Sequence, residues 1–251
     1  MFGFNRSAPA ADTLPVRVPT GIRAYAIGDI HGRADLLDDL LARIEADAAS
    51  ATGEKHLIFL GDYIDRGRTS RQVIERLLAP FPGYQITFLM GNHEAALLHF
   101  LAHPDFWPSF APYGAVETLL SYGVRIDPKL KAKAQAEEVH AQTKALLPAS
   151  HVDFLTRLTL SHTLGDYHFV HAGVHPEKPL DAQDGADLMR IREPFLSHAQ
   201  RLEKMVVHGH TITEEVEFHP HRIGIDTGAY ATGRLTALVL EDETRRLLQT
   251  G

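Results

Sequence analysis

The chain has 251 residues, 44% of them hydrophobic, which suits one α/β domain with a sizeable core. A formal charge of −7 and an isoelectric point near 6.1 argue against a broad basic surface for nucleic acid or anionic lipid, so any positive field must be local. The absence of cysteine excludes disulfides, cysteine-ligated zinc and thiol catalysis.

Residues 1–20 carry Pro, Ala and Ser without a continuous apolar stretch, and are expected to form a loose tail rather than a signal peptide. No window approaches the apolar length of a membrane span, and a cytoplasmic protein is expected. Three strand–loop–helix units follow. Residues 24–27 (AYAI) run into GDIHG at 28–32, then into a helix over 34–48 with Leu36, Leu37, Leu40, Leu41 and Ile44 on one face. Residues 55–60 (KHLIFL) run into GDYIDRG at 61–67, then into a helix that Thr69 or Ser70 can cap and whose Val73, Ile74, Leu77 and Leu78 face inward. Residues 86–89 (ITFL) run into GNHE at 91–94, then into a helix over 95–102. The alternation predicts parallel strands whose three loops converge on one edge of the sheet.

From 103 to about 158 the prolines Pro104, Pro108 and Pro112 precede helical stretches over 116–122 and 130–147, which predicts a helical insert beside the site. The charged run 129–144 reads as a solvated helix face. The last third is predicted as strands over 157–163, 167–170, 204–207, 215–218, 222–225, 235–240 and 246–249, forming a second, mixed sheet. Two facing sheets with helices outside each make a four-layer α/β/β/α sandwich, one domain over residues 21–251.

Around the three loops collect the residues of a two-cation site. Asp29 and His31, two apart at a strand end, are expected to point the same way in extended geometry and to suit one divalent metal. Asp62 can complete that site and bridge to a second, for which Asn92, His171 and His210 offer an amide oxygen and two imidazoles. Two cations so held would polarise a phosphoryl oxygen and turn water into hydroxide at neutral pH. Two carboxylates and one hydroxide leave such a site net positive, which favours a phosphate dianion, and Arg66 and Arg192 can add guanidinium contacts to it.

In order, GDIHG, GDYIDRG, GNHE, HAG and HGHT resemble the motifs of the phosphoprotein phosphatase family, metal-dependent serine/threonine phosphatases within the calcineurin-like metallophosphoesterases, in a short bacterial or phage-like form. IDTGA at 225–229 resembles a further segment of that family. The resemblance implies Asp29, His31 and Asp62 on the first metal, Asp62, Asn92, His171 and His210 on the second, and phosphate held by Arg66 and Arg192. It makes His93 the acid that protonates the departing alkoxide, with Asp65 as its partner, and leaves His208 near the rim or behind the metal ligands. It implies two divalent ions, with manganese expected and iron or zinc fitting the same donors.

The expected activity is phosphomonoester hydrolysis of phosphoserine or phosphothreonine proteins, with phosphotyrosine also open, by direct attack of dimetal-bound hydroxide. No nucleic-acid or membrane partner is expected. The first alternative is a dinucleoside polyphosphate or nucleotide phosphoesterase, because the same metal core serves many phosphate esters and anhydrides. Retention of Asp65 with Arg66 in the acidic turn weighs toward monoesters, because the symmetrical diadenosine tetraphosphate hydrolases typically replace that aspartate. A non-catalytic metal-binding scaffold is a third reading, against which stand the intact Asp62 and His93. Arg33 and Arg190 depart from the family pattern, and either would favour acidic or multiply phosphorylated substrates if it lined the approach; the alternative is a solvated arginine on a loop. The histidines outside the motifs, such as His56, His99, His140 and His151, read as structural or exposed.

Overall fold

The computed structural model describes residues 15–251, so most of the expected tail lies outside the described residues. Residues 15–20 belong to the packed unit instead. Val18 is fully buried and donates its N–H to the Asp242 carbonyl at 3.1 Å, while Arg17 N–H donates to the Asp166 carboxylate at 3.0 Å.

The first sheet is built from β1 (Ile22–Ile27), β2 (Glu54–Phe59) and β3 (Tyr84–Phe88), paired in parallel as the strand–loop–helix alternation predicts. The connecting helices are α1 (Ala34–Ala48), α2 (Ser70–Leu78) and α3 (Asn92–Ala102). Alternate residues of β1 face opposite ways. Tyr25 and Ile27 pack with Leu37, Leu40 and Ile44 of α1 and with Val73 and Ile74 of α2, whereas Ala24 and Ala26 join the layer between the sheets. Leu78 breaks the expected inward face of α2, being 42% exposed at the last helical residue. Thr69 makes no side-chain cap for α2; its hydroxyl donates to the Gly32 carbonyl at 2.6 Å and accepts the Ala34 N–H at 3.0 Å, tying the second loop to the first.

The insert comprises α4 (Trp107–Phe110), α5 (Ala115–Ser121), α6 (Ala132–Leu146) and α7 (Ala149–Thr156). Leu119, Tyr122, Val139 and Leu155 join the core formed with the first sheet, so the insert is integral to the domain. The second sheet runs β4-β5-β6-β8-β7, with β4 (Ser161–Leu164), β5 (Tyr167–Val170), the short helix α8 (Gly185–Arg190), β6 (Met205–His208), β7 (Glu217–Phe218) and β8 (Arg222–Gly224) following in the chain. Tyr167, Phe169, Val207 and Ile223 pack against Ala24, Ala26, Ile58 and Leu60 between the sheets. On the outer face Val170 and Val206 meet Leu188, Ile191 and Phe195, a thin fourth layer.

The predicted strand over 157–163 begins only at Ser161, because α7 runs to Thr156. The last two predicted strands lie in the other sheet. After the short α9 (Ala229–Thr232), β9 (Thr236–Glu241) pairs antiparallel with β1, and β10 (Thr244–Gln249) completes the order β10-β9-β1-β2-β3. A continuous apolar run such as residues 235–240 signals burial on both faces but not which sheet covers them. Both sheets remain mixed, and the α/β/β/α sandwich stands. Among the described residues, no helix is long and apolar enough to cross a membrane.

Candidate active site

The loops after β1 and β2 are held together by backbone bonds: Ile30 and His31 N–H donate to the Asp62 carbonyl at 3.1 and 2.9 Å, and Gly32 N–H to the Tyr63 carbonyl at 2.9 Å. The third loop is fixed by Glu94, a fully buried carboxylate in the first turn of α3. It accepts the N–H groups of Asp62 at 2.9 Å, Tyr63 at 2.8 Å and Gly91 at 3.0 Å. Five site residues adopt left-handed backbone: His31 (φ 45°), Asp62 (51°), Asp65 (72°), Arg66 (66°) and His210 (62°). That conformation costs on the order of 1 kcal/mol or more for a non-glycine residue and persists where surrounding bonds over-determine it. It also corrects the expected geometry of the first loop, since His31 is turned out of the extended conformation presumed for it beside Asp29.

Asp62 lies at the centre. One ligand atom each from His31, Asp62 and His93 falls within a 4.8 Å group, and so does one each from Asp62, His171 and His210. His31 Nε2 is 3.5 Å and His171 Nε2 3.4 Å from Asp62 Oδ2, and His171 Nε2 is 3.1 Å from Asn92 Oδ1. The far nitrogens are occupied: His31 Nδ1–H donates to the Ile64 carbonyl at 2.8 Å and His171 Nδ1–H to the Leu60 carbonyl at 2.9 Å, which turns each Nε2 toward Asp62. Asp29 stands outside both three-residue groups; its carboxylate accepts the His210 N–H at 3.0 Å and anchors the loop after β6.

Several features fit these residues to cations. The Nε2 atoms of His31 and His210 and one oxygen of Asp226 are buried without a hydrogen-bond partner. The carboxylates are closely walled, since a Cβ at Gly91 would lie 2.1 Å from Asp62 Oδ1 and one at Gly209 would lie 2.0 Å from Asp29 Oδ1. Burial, with Asp226 and Asp62 adding repulsion, pushes Asp29 well above the usual carboxylate range. Burial lowers both His31 and His210 to about 3, keeping the rings neutral and free to ligate.

Beside the pair lies a second arrangement. His93 Nδ1 and Asp65 Oδ2 are 2.6 Å apart in the interior. Asp65 is held in turn by the Thr118 hydroxyl, donated from α5 at 2.7 Å. Burial opposes a charged His93 ring, but Asp62 and Asp65 outweigh it and raise His93 to about 9. Arg66 Nη2 lies 3.4 Å from His93 Nε2, and its guanidinium stacks 4.8 Å over the Tyr230 ring. Arg192 is exposed after α8, where its charge helps depress His210.

Of the two unusual arginines, Arg33 is engaged by Asp35 at 2.8 and 2.6 Å and by the Ala229 carbonyl at 3.1 Å, so it is paired within the fold rather than simply solvated. Arg190 lines the cleft next to Asn92 and His93. His208, the last residue of β6, is buried rather than at the rim, its Nδ1–H donated to the Gly209 carbonyl at 3.0 Å. Sequence reasoning assigned no role to Glu94, Thr118 or Asp226. Glu94 had a signal, an acid three residues after the residue that precedes a helix, which can turn back on that residue's N–H. Thr118 had none.

Facing sheets that deliver aspartate, histidine and asparagine from strand ends to one shared carboxylate define a metallophosphoesterase. The calcineurin-like phosphoesterase model matches residues 22–223, and the chain belongs to that family of hydrolases. It is 27% identical over 226 residues to a "Bis(5'-nucleosyl)-tetraphosphatase PrpE [asymmetrical]" of Anoxybacillus flavithermus, covering 84% of this chain and 88% of that one. In fold it is similar to a putative diadenosine tetraphosphatase (TM-score 0.63, 22% identity, 94% of this chain and 98% of that chain). It is also similar to a cold-active protein-tyrosine phosphatase of a psychrophilic Shewanella (TM-score 0.51, 20% identity, 93% and 83%).

Proposed function

We propose that this chain hydrolyses dinucleoside polyphosphates at a two-cation centre. The observation that carries the reading is that two cavities flank the Arg66–His93 pair. One, of about 570 Å³, is lined by Arg66, Tyr113, Glu117 and Tyr230; the other, of about 260 Å³, by Asn92, His93, Phe106, Phe110 and Arg190. Space on both sides of the phosphate site suits a substrate with two arms, and relatives aligned along most of the chain are bis(5'-nucleosyl)-tetraphosphatases, which supports it. This reverses the order of the two substrate classes expected from the sequence.

In this reading Asp29, His31 and Asp62 would hold one divalent ion, and Asp62, Asn92, His171 and His210 the other, manganese being the proposed metal. When bound, the two ions supply positive charge to phosphoryl oxygens and activate solvent for attack. Arg66 and Arg192 orient the phosphate. Asp65 accepts the Nδ1 proton of His93, so the Nε2 edge is free to give a proton to the leaving oxygen.

That dyad favours a second reading, hydrolysis of phosphoserine or phosphothreonine esters. An alkoxide is a poor leaving group that needs a proton, whereas a nucleotide phosphate leaves with less help. Catalytic efficiency of the manganese-loaded enzyme on diadenosine tetraphosphate, a phosphoserine peptide and a phosphotyrosine peptide separates the two. The proposal expects the first to exceed the others; a higher value on phosphoserine peptide would reverse it.

A further inference from the structure

We infer that Tyr113 is a base-stacking residue that selects nucleoside 5′-phosphates, an inference that rests on the proposed substrate class and specifies its recognition. Tyr113 is 65% exposed, yet it stands on a rigid ridge. It ends a single 3₁₀ turn, Ala111–Tyr113, in which Pro112 fixes the backbone, and the next residue, Gly114, is left-handed (φ 95°). The Gly114 carbonyl accepts the Arg66 N–H at 3.1 Å, and a Cβ at Gly114 would come within 2.4 Å of that nitrogen. The ridge is therefore locked against the residue that would hold phosphate.

Tyr113 lines both cavities and forms the wall between them. Across the larger one stands Tyr230, 37% exposed, whose ring carries the Arg66 guanidinium and meets His31 edge-on at 5.5 Å between centroids. A phosphate on Arg66 thus has beside it an exposed aromatic side chain carried on a fixed backbone. Such a face packs little core and presents a π surface to whatever is attached to that phosphate. A nucleobase has a matching face, and an aromatic platform holds any base without reading its edge. A phosphoserine side chain has none. Retention of purine and pyrimidine substrates alike follows from that mode of contact.

The test uses manganese-loaded full-length enzyme hydrolysing p-nitrophenyl phosphate, with AMP and orthophosphate as competing inhibitors, in the wild type, Tyr113→Ala and Tyr113→Phe. Tyr113→Ala is expected to weaken AMP about tenfold and orthophosphate by no more than about twofold, the difference being the loss of one stacked base. Tyr113→Phe, which keeps the ring, should retain AMP. Equal weakening of both inhibitors, or no change in either, overturns the inference. Circular dichroism identifies an unfolded variant, in which case Tyr113→Leu is measured in its place. Failure of the wild type to cleave diadenosine tetraphosphate would count against the substrate class alone, because the AMP-to-orthophosphate contrast is read on an aryl phosphate.

Discussion

His93 and Asp65 form a buried pair whose nitrogen and oxygen are 2.6 Å apart, and Thr118 of the helical insert holds the carboxylate from behind. The order of these three groups turns the Nε2 edge of the imidazole toward Asp62 and Arg66. It also makes the insert, which follows the third motif and its helix in the chain, part of the candidate site.

His93→Ala is expected to lower catalytic efficiency on a phosphoserine peptide by roughly a hundredfold or more, the usual contribution of a positioned acid. The loss on p-nitrophenyl phosphate should be much smaller, since a nitrophenolate departs without a proton. Steady-state kinetics on both substrates decides the matter; equal losses would remove His93 from the acid role. Thr118→Val should reproduce a weaker form of the same pattern, through a carboxylate left with one fewer donor.

Glu94 accepts three close backbone N–H groups from two different loops and has no access to solvent. Glu94→Gln replaces one accepting oxygen by an amide NH2 that faces donors, which should cost about 2 kcal/mol of folding stability. The urea midpoint reports it. Manganese affinity by calorimetry should fall as well, because the Asp62 loop loses its anchor; a variant with wild-type midpoint and affinity would show that Glu94 anchors nothing.

His168 offers a prediction away from the site. Burial, reinforced by the charge of Lys204, lowers it to about 4, with Thr163 Oγ1 at 2.7 Å from Nδ1. In the unfolded chain the ring titrates near its ordinary value of about 6.5. Between those values the unfolded state binds the extra proton, so the contribution is fully present above about 6.5 and is lost as pH falls toward 4. His168→Gln should therefore lose less stability than the wild type between pH 7.5 and pH 5, as read from urea midpoints at each pH. An identical loss in both proteins would mean that His168 protonates freely in the fold.

The first three strands and the loops that follow them were legible because short apolar runs such as residues 55–60 end abruptly in glycine and charge. What escaped was set by contacts distant in sequence. Nothing in residues 235–240 says that β9 will lie antiparallel against β1 rather than beside β8. Leu78 satisfies the helical spacing yet falls at the end of α2, where the next layer no longer covers it. The left-handed backbone at Asp62 and His31 follows from the bonds that zip the two loops together, which no local periodicity encodes. Thr118 reaches Asp65 only because α5 folds back over the second loop.

The central claim is that Asp62 is shared by two cations. Anomalous diffraction from crystals soaked in manganese tests it directly, in the wild type and in Asp62→Asn. The account predicts two peaks in the wild type, one beside His31 and Asp62 and one among Asp62, His171 and His210, with at least one lost in the variant. A single wild-type peak, or two peaks that persist without the Asp62 carboxylate, would contradict it.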